Sequence, residues 1–192
     1  MTSDYNREQL GPFDVSELGL LENYIDFGAI LVPADNPDLS LRIEVEESTG
    51  RLVAVTLEYL ESTLQVTAFS APKNDGVWAE VRDQLAQTII AQGGEARLVP
   101  SGFDDALLAK LPNPDQAALS GFRDVKFIGV DGPRWFLRGL VEGQALHDVA
   151  VDSAIDGLFR SIVVNRGEVA MPPREMLELT MPPGNIAPPR GF

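Results

Sequence analysis

The chain has 192 residues, 44% of them hydrophobic, and a net charge of −14. That is long enough for one domain with a full core and short for two. No apolar run nears the roughly 18–20 residues that span a bilayer, and the polar, acidic start MTSDYNREQLGPFD has no basic-then-apolar leader pattern. Without cysteine there are no disulfides, thiol nucleophiles or thiolate metal sites; the expected location is the cytoplasm.

The charge is uneven. Residues 1–50 carry eleven acids and two arginines, whereas residues 121–192 carry nine acids and eight bases. Binding to duplex nucleic acid needs a basic footprint, which this chain lacks. Solubility or a basic protein partner suits the balance better.

Residues 1–23 read as an extended acidic arm. A strand is expected at 24–32, ending at Pro33, and Ala34-Asp35-Asn36-Pro37-Asp38 is a turn region. Residues 39–47 alternate, with Leu39, Leu41, Ile43 and Val45 on one side and Ser40, Arg42, Glu44 and Glu46 on the other. That pattern predicts a half-buried strand with a wet face. Strands at 52–59 and 63–69 complete an antiparallel meander.

The period then changes. Val77, Trp78, Val81, Leu85 and Ile89 recur at three and four, which predicts a helix capped by Asn74 or Asp75 and ended by Gly93-Gly94. Short strands are expected at 95–99 and 106–111, and a loop of about ten residues starts at Pro112-Asn113-Pro114-Asp115. A hairpin follows from 122–130 and 134–141. A second helix is predicted from 149 to 160 with Val151, Ile155, Leu158 and Phe159 inward, then a short strand at 162–164. The reading is one α+β domain at 24–165, a largely antiparallel sheet with both helices on one face. A proline-rich strap or tail spans 166–192.

The hairpin contains GVDGPRWFLRG, Gly129 to Gly139. Asp131-Gly132 suits a two-residue turn, and Pro133 would widen it to four. Either count pairs Gly129 with Arg134, Phe127 with Phe136 and Val125 with Arg138. One face then carries Arg123, Val125, Phe127, Arg134, Phe136 and Arg138. The other carries Phe122, Lys126, Ile128, Trp135, Leu137 and Val141 and is expected to be core. Guanidiniums over aromatic rings stabilise a fold without a ligand, and they also grip carboxylate or phosphate in a bidentate way. Arg123, Arg134, Phe136 and Arg138 are therefore candidate binding residues. Pro172, Pro173 and Arg174 are a second candidate, either as a strap over their own domain or as a preordered docking segment.

Other chemistry is thin. His147 is the single histidine and stands just before the second helix, leaving no base for a serine triad and no multi-histidine metal site. Glu44 with Glu46 reads as a solvated, edge-protecting face, Asp152 with Asp156 as an exposed helix face, and Asp104-Asp105 as a turn. No catalytic residue, metal or cofactor is assigned.

GVDGPRWFLRG, taken with Arg166-Gly167-Glu168 and Met171-Pro172-Pro173-Arg174-Glu175, resembles an actinobacterial family of unknown function. Thr67-Ala68-Phe69-Ser70-Ala71-Pro72, Trp78-Ala79-Glu80-Val81-Arg82 and Gly11-Pro12-Phe13-Asp14 extend the resemblance over most of the chain. It implies a cytoplasmic bacterial protein and brings no activity, cofactor or catalytic residue. The element order is similar, more weakly, to PsbP-like domains, which implies a non-enzymatic binding or assembly role. The expected function is a protein-interaction module, its partner another protein or a second copy of the chain, with no duplex nucleic acid and no membrane. The alternative is a small-molecule binder, of an anionic ligand, or an enzyme, with a pocket between sheet and helices. It would use an acid such as Glu44 or Asp131 and Arg138 as charge stabiliser.

Overall fold

The structure, a computed structural model, describes residues 5–113 and 121–183. The first four residues of the arm, most of the expected loop after Asn113, and Pro188-Pro189 lie outside the described residues. In chain order the first elements are α1 (Arg7–Leu10), β1 (Phe13–Asp14), β2 (Tyr24–Asp26), β3 (Ile30–Pro33), β4 (Ser40–Val45), β5 (Leu52–Tyr59) and β6 (Ser62–Ser70). Then come α2 (Trp78–Ala91), β7 (Glu95–Val99), β8 (Ala106–Pro112), β9 (Phe122–Gly132), β10 (Trp135–Gly143), α3 (Val149–Ser161) and β11 (Val163–Val164).

The fold is α+β. Seven strands form one antiparallel sheet in the order β4-β5-β6-β10-β9-β8-β7, and a smaller sheet runs β1-β11-β3-β2. Periodicity located most elements to within a residue or two. The exception is 24–32, where the chain turns back on itself at Phe27-Gly28-Ala29, so the expected single strand is the hairpin β2–β3. Asp26 Oδ1 accepts from the Gly28 N–H at 2.7 Å and holds that turn.

Both faces of the central strands are apolar, and each therefore needs a cover. Val125, Phe127 and Phe136 lie on one face with Leu107 and Ala109, under Trp78, Val81, Leu85 and Ile89 of α2. Ile128, Val130, Trp135, Leu137 and Val141 lie on the other with Ile155 and Phe159 of α3 and with β3 and β11. The two helices thus pack on opposite faces, a correction to the one-face expectation. Two glycines mark the closest approaches. A Cβ on Gly129 would run into the Trp78 ring, and one on Gly139 would meet Leu64, Ile128 and Phe159.

From Tyr5 onward the arm packs on the domain. β1 pairs in parallel with β11, and Trp135 Nε1 donates to the buried Asp14 carboxylate at 2.8 Å. Asp14 and Glu17 form a capping box around the turn Val15–Glu17. At the other end, residues 174–180 run between β6 and β3. Arg174 N–H donates to Ser70 O at 2.8 Å, Leu177 N–H to Ala68 O at 2.9 Å and Thr180 N–H to Phe27 O at 2.8 Å. Leu177 and Leu179 enter the core there.

Candidate functional site

The hairpin register differs from expectation. Gly132 pairs with Trp135, Asp131 with Phe136, Gly129 with Arg138 and Phe127 with Leu140. The turn is Pro133-Arg134. Proline supplies a negative φ and Arg134 a positive one of 64°, the sequence of signs that a type II turn needs. Asp131 is unavailable as a turn residue because it caps α2. Its Oδ1 accepts from the N–H groups of Val77 at 2.9 Å and Trp78 at 3.1 Å. That cap replaces Asn74 or Asp75, and burial, partly offset by these two bonds, raises the Asp131 carboxyl above its ordinary range. Gly93 does end the helix as expected, at φ 86°, with the Gly94 N–H on Ile89 O at 2.9 Å.

The offset is an even number of residues, so each side chain keeps its face. The candidate residues nevertheless part company. Phe136 is buried and stacks on Phe69 at 4.7 Å and 9°. Arg123 pairs with Glu142 at 3.0 Å. Arg134 stands exposed in the turn, at an open cavity of about 410 Å³ shared with Asp14, Arg166 and Glu168. Pro172 and Pro173 are exposed, and Arg174 crosses to Glu80 of α2 at 2.5 Å and to Gln84 at 3.1 Å.

Arg138 stays on the sheet. α2 lies over β7, β8 and β9, which leaves the same face of β4, β5 and β6 lined by Arg42, Glu44, Glu58, Thr63 and Gln65. There Arg42 pairs with Glu58 at 3.0 Å, and Glu44 accepts from Thr56 Oγ1 at 3.0 Å and Gln65 Nε2 at 2.7 Å. Arg138 stands where this polar half meets the apolar half, opposite Thr67 on β6 and Gly129 on β9. Its guanidinium lies 5.1 Å from the Phe69 ring centroid. Burial presses it below the usual arginine range, because a half-dry site disfavours the charged form. Among the described residues Arg138 is the one half-buried arginine without a hydrogen bond or ion pair.

A second polar cluster was not visible in the sequence. Asp156, expected on an exposed helix face, is buried, and burial lifts its carboxyl to about 6. Its helical neighbour Asp152 pairs with Lys126. Asp156 lies against Gly102 of the 101–105 loop, whose next residue, Phe103, meets Tyr5 edge-on at 5.2 Å. Arg160, one turn further, donates to Gly102 O at 2.9 Å and stands 5.1 Å from the Phe103 ring. His147 is exposed and lines a cavity of about 450 Å³ with Glu95, Arg97, Lys110 and Asp124. Among the described residues, no three of His, Asp and Glu lie together as metal ligands would. No helix among them is long and apolar enough to cross a membrane.

These geometries name no reaction. No curated protein and no solved structure matches the chain. A family model does match, over residues 11–187, which takes in the hairpin, both helices and the strap. The chain belongs to the family described as Protein of unknown function (DUF3710).

Proposed function

We propose that this protein is a non-enzymatic, cytoplasmic interaction module that anchors another protein at Arg138. The observation that carries the reading is the unmatched charge of that side chain. A guanidinium at the border of an apolar and a polar surface, with one aromatic neighbour and no anion, is incomplete. A partner carboxylate would complete it in a bidentate way, while an apolar group of the partner lies against Phe69. Arginine and aromatic side chains of this kind form the energetic centres of interfaces. The acidity of the chain, −14 overall, favours a partner whose surface is basic around that one carboxylate.

An actinobacterial source and a likeness to PsbP-like assembly domains belong to the same reading. A small anionic ligand in place of a protein is the second form of it, favoured by the same unpaired guanidinium. In either form Arg134 and the Pro172–Arg174 segment are secondary, since Arg174 is occupied by Glu80.

The test compares capture from native lysate by the native chain, Arg138→Gln and Arg134→Gln. The expected result is a protein retained by the native chain and Arg134→Gln and lost with Arg138→Gln. Recovery of the same set by all three, or of nothing by the native chain, overturns the reading.

A further inference from the structure

Four buried side-chain atoms have no hydrogen-bond partner among the described residues: Tyr5 Oη, Trp78 Nε1, Asp156 Oδ1 and Arg160 Nε. Native proteins leave few such atoms, and each calls for a reason. Three of them, on Tyr5, Asp156 and Arg160, gather around the 101–105 loop. Tyr5 and Arg160 meet around the Phe103 ring, with centroid distances of 5.2 Å for Tyr5 and 5.1 Å for Arg160. Asp156 sits against Gly102, one residue before that ring. Tyr5 and Arg7 also border a cavity of about 290 Å³ whose other walls are Trp78, Asp104, Gly129, Val130 and Asp131.

We propose that residues 5–10 form a lid over this cavity, shut while Asp156 is neutral and loosened when Asp156 is charged. With the lid down, Asp156 is out of water and one of its oxygens receives no hydrogen bond. An ionised carboxylate tolerates that position poorly. A neutral carboxyl does not carry that cost.

The charges around Asp156 do not cancel the effect. On α3 itself stand Asp152, which repels, and Arg160, whose terminal nitrogen is committed to Gly102 O at 2.9 Å. From β9 comes Lys126, which is bound to Asp152. From the 101–105 loop comes the Gly102 backbone, and from the lid comes Tyr5, whose hydroxyl burial pushes up to about 12, so it remains protonated.

Burial lifts the Asp156 carboxyl from 3.8 to about 6. A group whose value is higher in the closed state than in the open one favours closure when protonated. Closure is therefore fully favoured below the ordinary carboxylate range and weakens as pH rises through about 6. The other fastening of the lid, Arg7 on Glu17 at 2.8 Å and 2.5 Å, stays ionised throughout that window, since the pairing raises Arg7 and lowers Glu17. It holds the lid near its seat. β1 and the Asp14–Trp135 bond remain as the anchor beyond it.

Hydrogen exchange of the full chain, followed by mass spectrometry and corrected for intrinsic rates, tests the lid. The Leu10 and Gly11 amides donate to Asn6 O at 3.0 Å and Arg7 O at 2.7 Å and report its closure. Between pH 5 and pH 7.5 their exchange is expected to quicken about tenfold, the factor that one pKa unit of coupling gives. Asp156→Asn, which is neutral at every pH, is expected to exchange slowly across the range. Tyr5→Ala, which removes the plug, is expected to exchange fast at both ends. A flat profile in the native chain overturns the proposal, and so does a native-like profile in either variant. Amides of α3 in the same data set verify that each variant is folded.

Discussion

Asp131 shows how much one residue in a short motif can do. It is the partner of Phe136 in the ladder, and its carboxylate caps a helix that starts 53 residues earlier in the chain. Two residues before it, Gly129 leaves room for the first side chain of that helix. Gly132, one residue after it, lies under the Trp135 ring, whose N–H reaches Asp14. The motif is a junction where helix, hairpin and arm meet. Replacing Asp131 with alanine removes the cap and is expected to lower stability by about 1–2 kcal/mol, read from urea unfolding curves. A loss below a few tenths of a kcal/mol would mean that the helix is held by Trp78 alone. The sequence marked this stretch as a hairpin but assigned Asp131 to the turn. A cap supplied from a distant strand leaves no local trace, and a side chain can serve the turn or the helix, not both. Asp156 was misplaced for a related reason. Charge and helical period suggested a wet face, whereas Asp156 is buried against Gly102 of the 101–105 loop, a contact that the period of α3 cannot show.

Among elements, those whose stability rests on their own periodicity were the most legible. The alternation of β4 and the three-and-four spacing of α2 and α3 predicted their extents closely, because local burial patterns reflect the face each presents. The wet side of β4 is wet in the structure, with Arg42 on Glu58. Pairing between elements was less legible. The register of β9 and β10 depended on which residues accept a positive φ, and arginine did so in place of glycine. The strap was ambiguous in the sequence because prolines favour extended chain without stating what it lies on. In the structure its backbone hydrogen bonds and the buried Leu177 and Leu179 hold it to the domain, and Pro172 adds a carbonyl that accepts from Ser70 Oγ. Leu177→Ala is expected to cost about 2–5 kcal/mol by leaving a core void. Pro173→Ala, at an exposed position, is expected to change stability by no more than about 0.5 kcal/mol. Guanidinium unfolding of the two variants side by side tests this; equal losses would show that chain stiffness, rather than burial, holds the strap.

For the molecule as a whole, the sheet has three tasks: one face closed by α3 and the small sheet, half of the other closed by α2, and the rest left polar. That uncovered half is where Arg138 stands. The expectation put both helices on one face, whereas the apolar residues on both sides of β9 and β10 need a cover each, and the structure supplies one helix to each face. The net charge of −14 acts at this scale also. Self-repulsion among carboxylates opposes compaction, and salt screens it over about 10 Å at 0.1 M. Raising sodium chloride from 10 mM to 300 mM is expected to stabilise the fold by about 1 kcal/mol, or roughly 2–4 °C in Tm. A fall in Tm would mean that ion pairs such as Arg7–Glu17 and Lys126–Asp152 outweigh the repulsion.

The strap has one more consequence, for the order in which the protein is made. β6 has a free flank at Ala68 and Ser70 until residues 174–180 arrive, and β1 has no neighbour until β11 is synthesised. A ribosome that has released the first 160 residues therefore holds a chain whose sheet is still unsealed on one side. Completion waits for residues 174–180. Between those moments the nascent chain exposes open β-edges of the kind that chaperones attend, and a stalled or prematurely ended product would retain them.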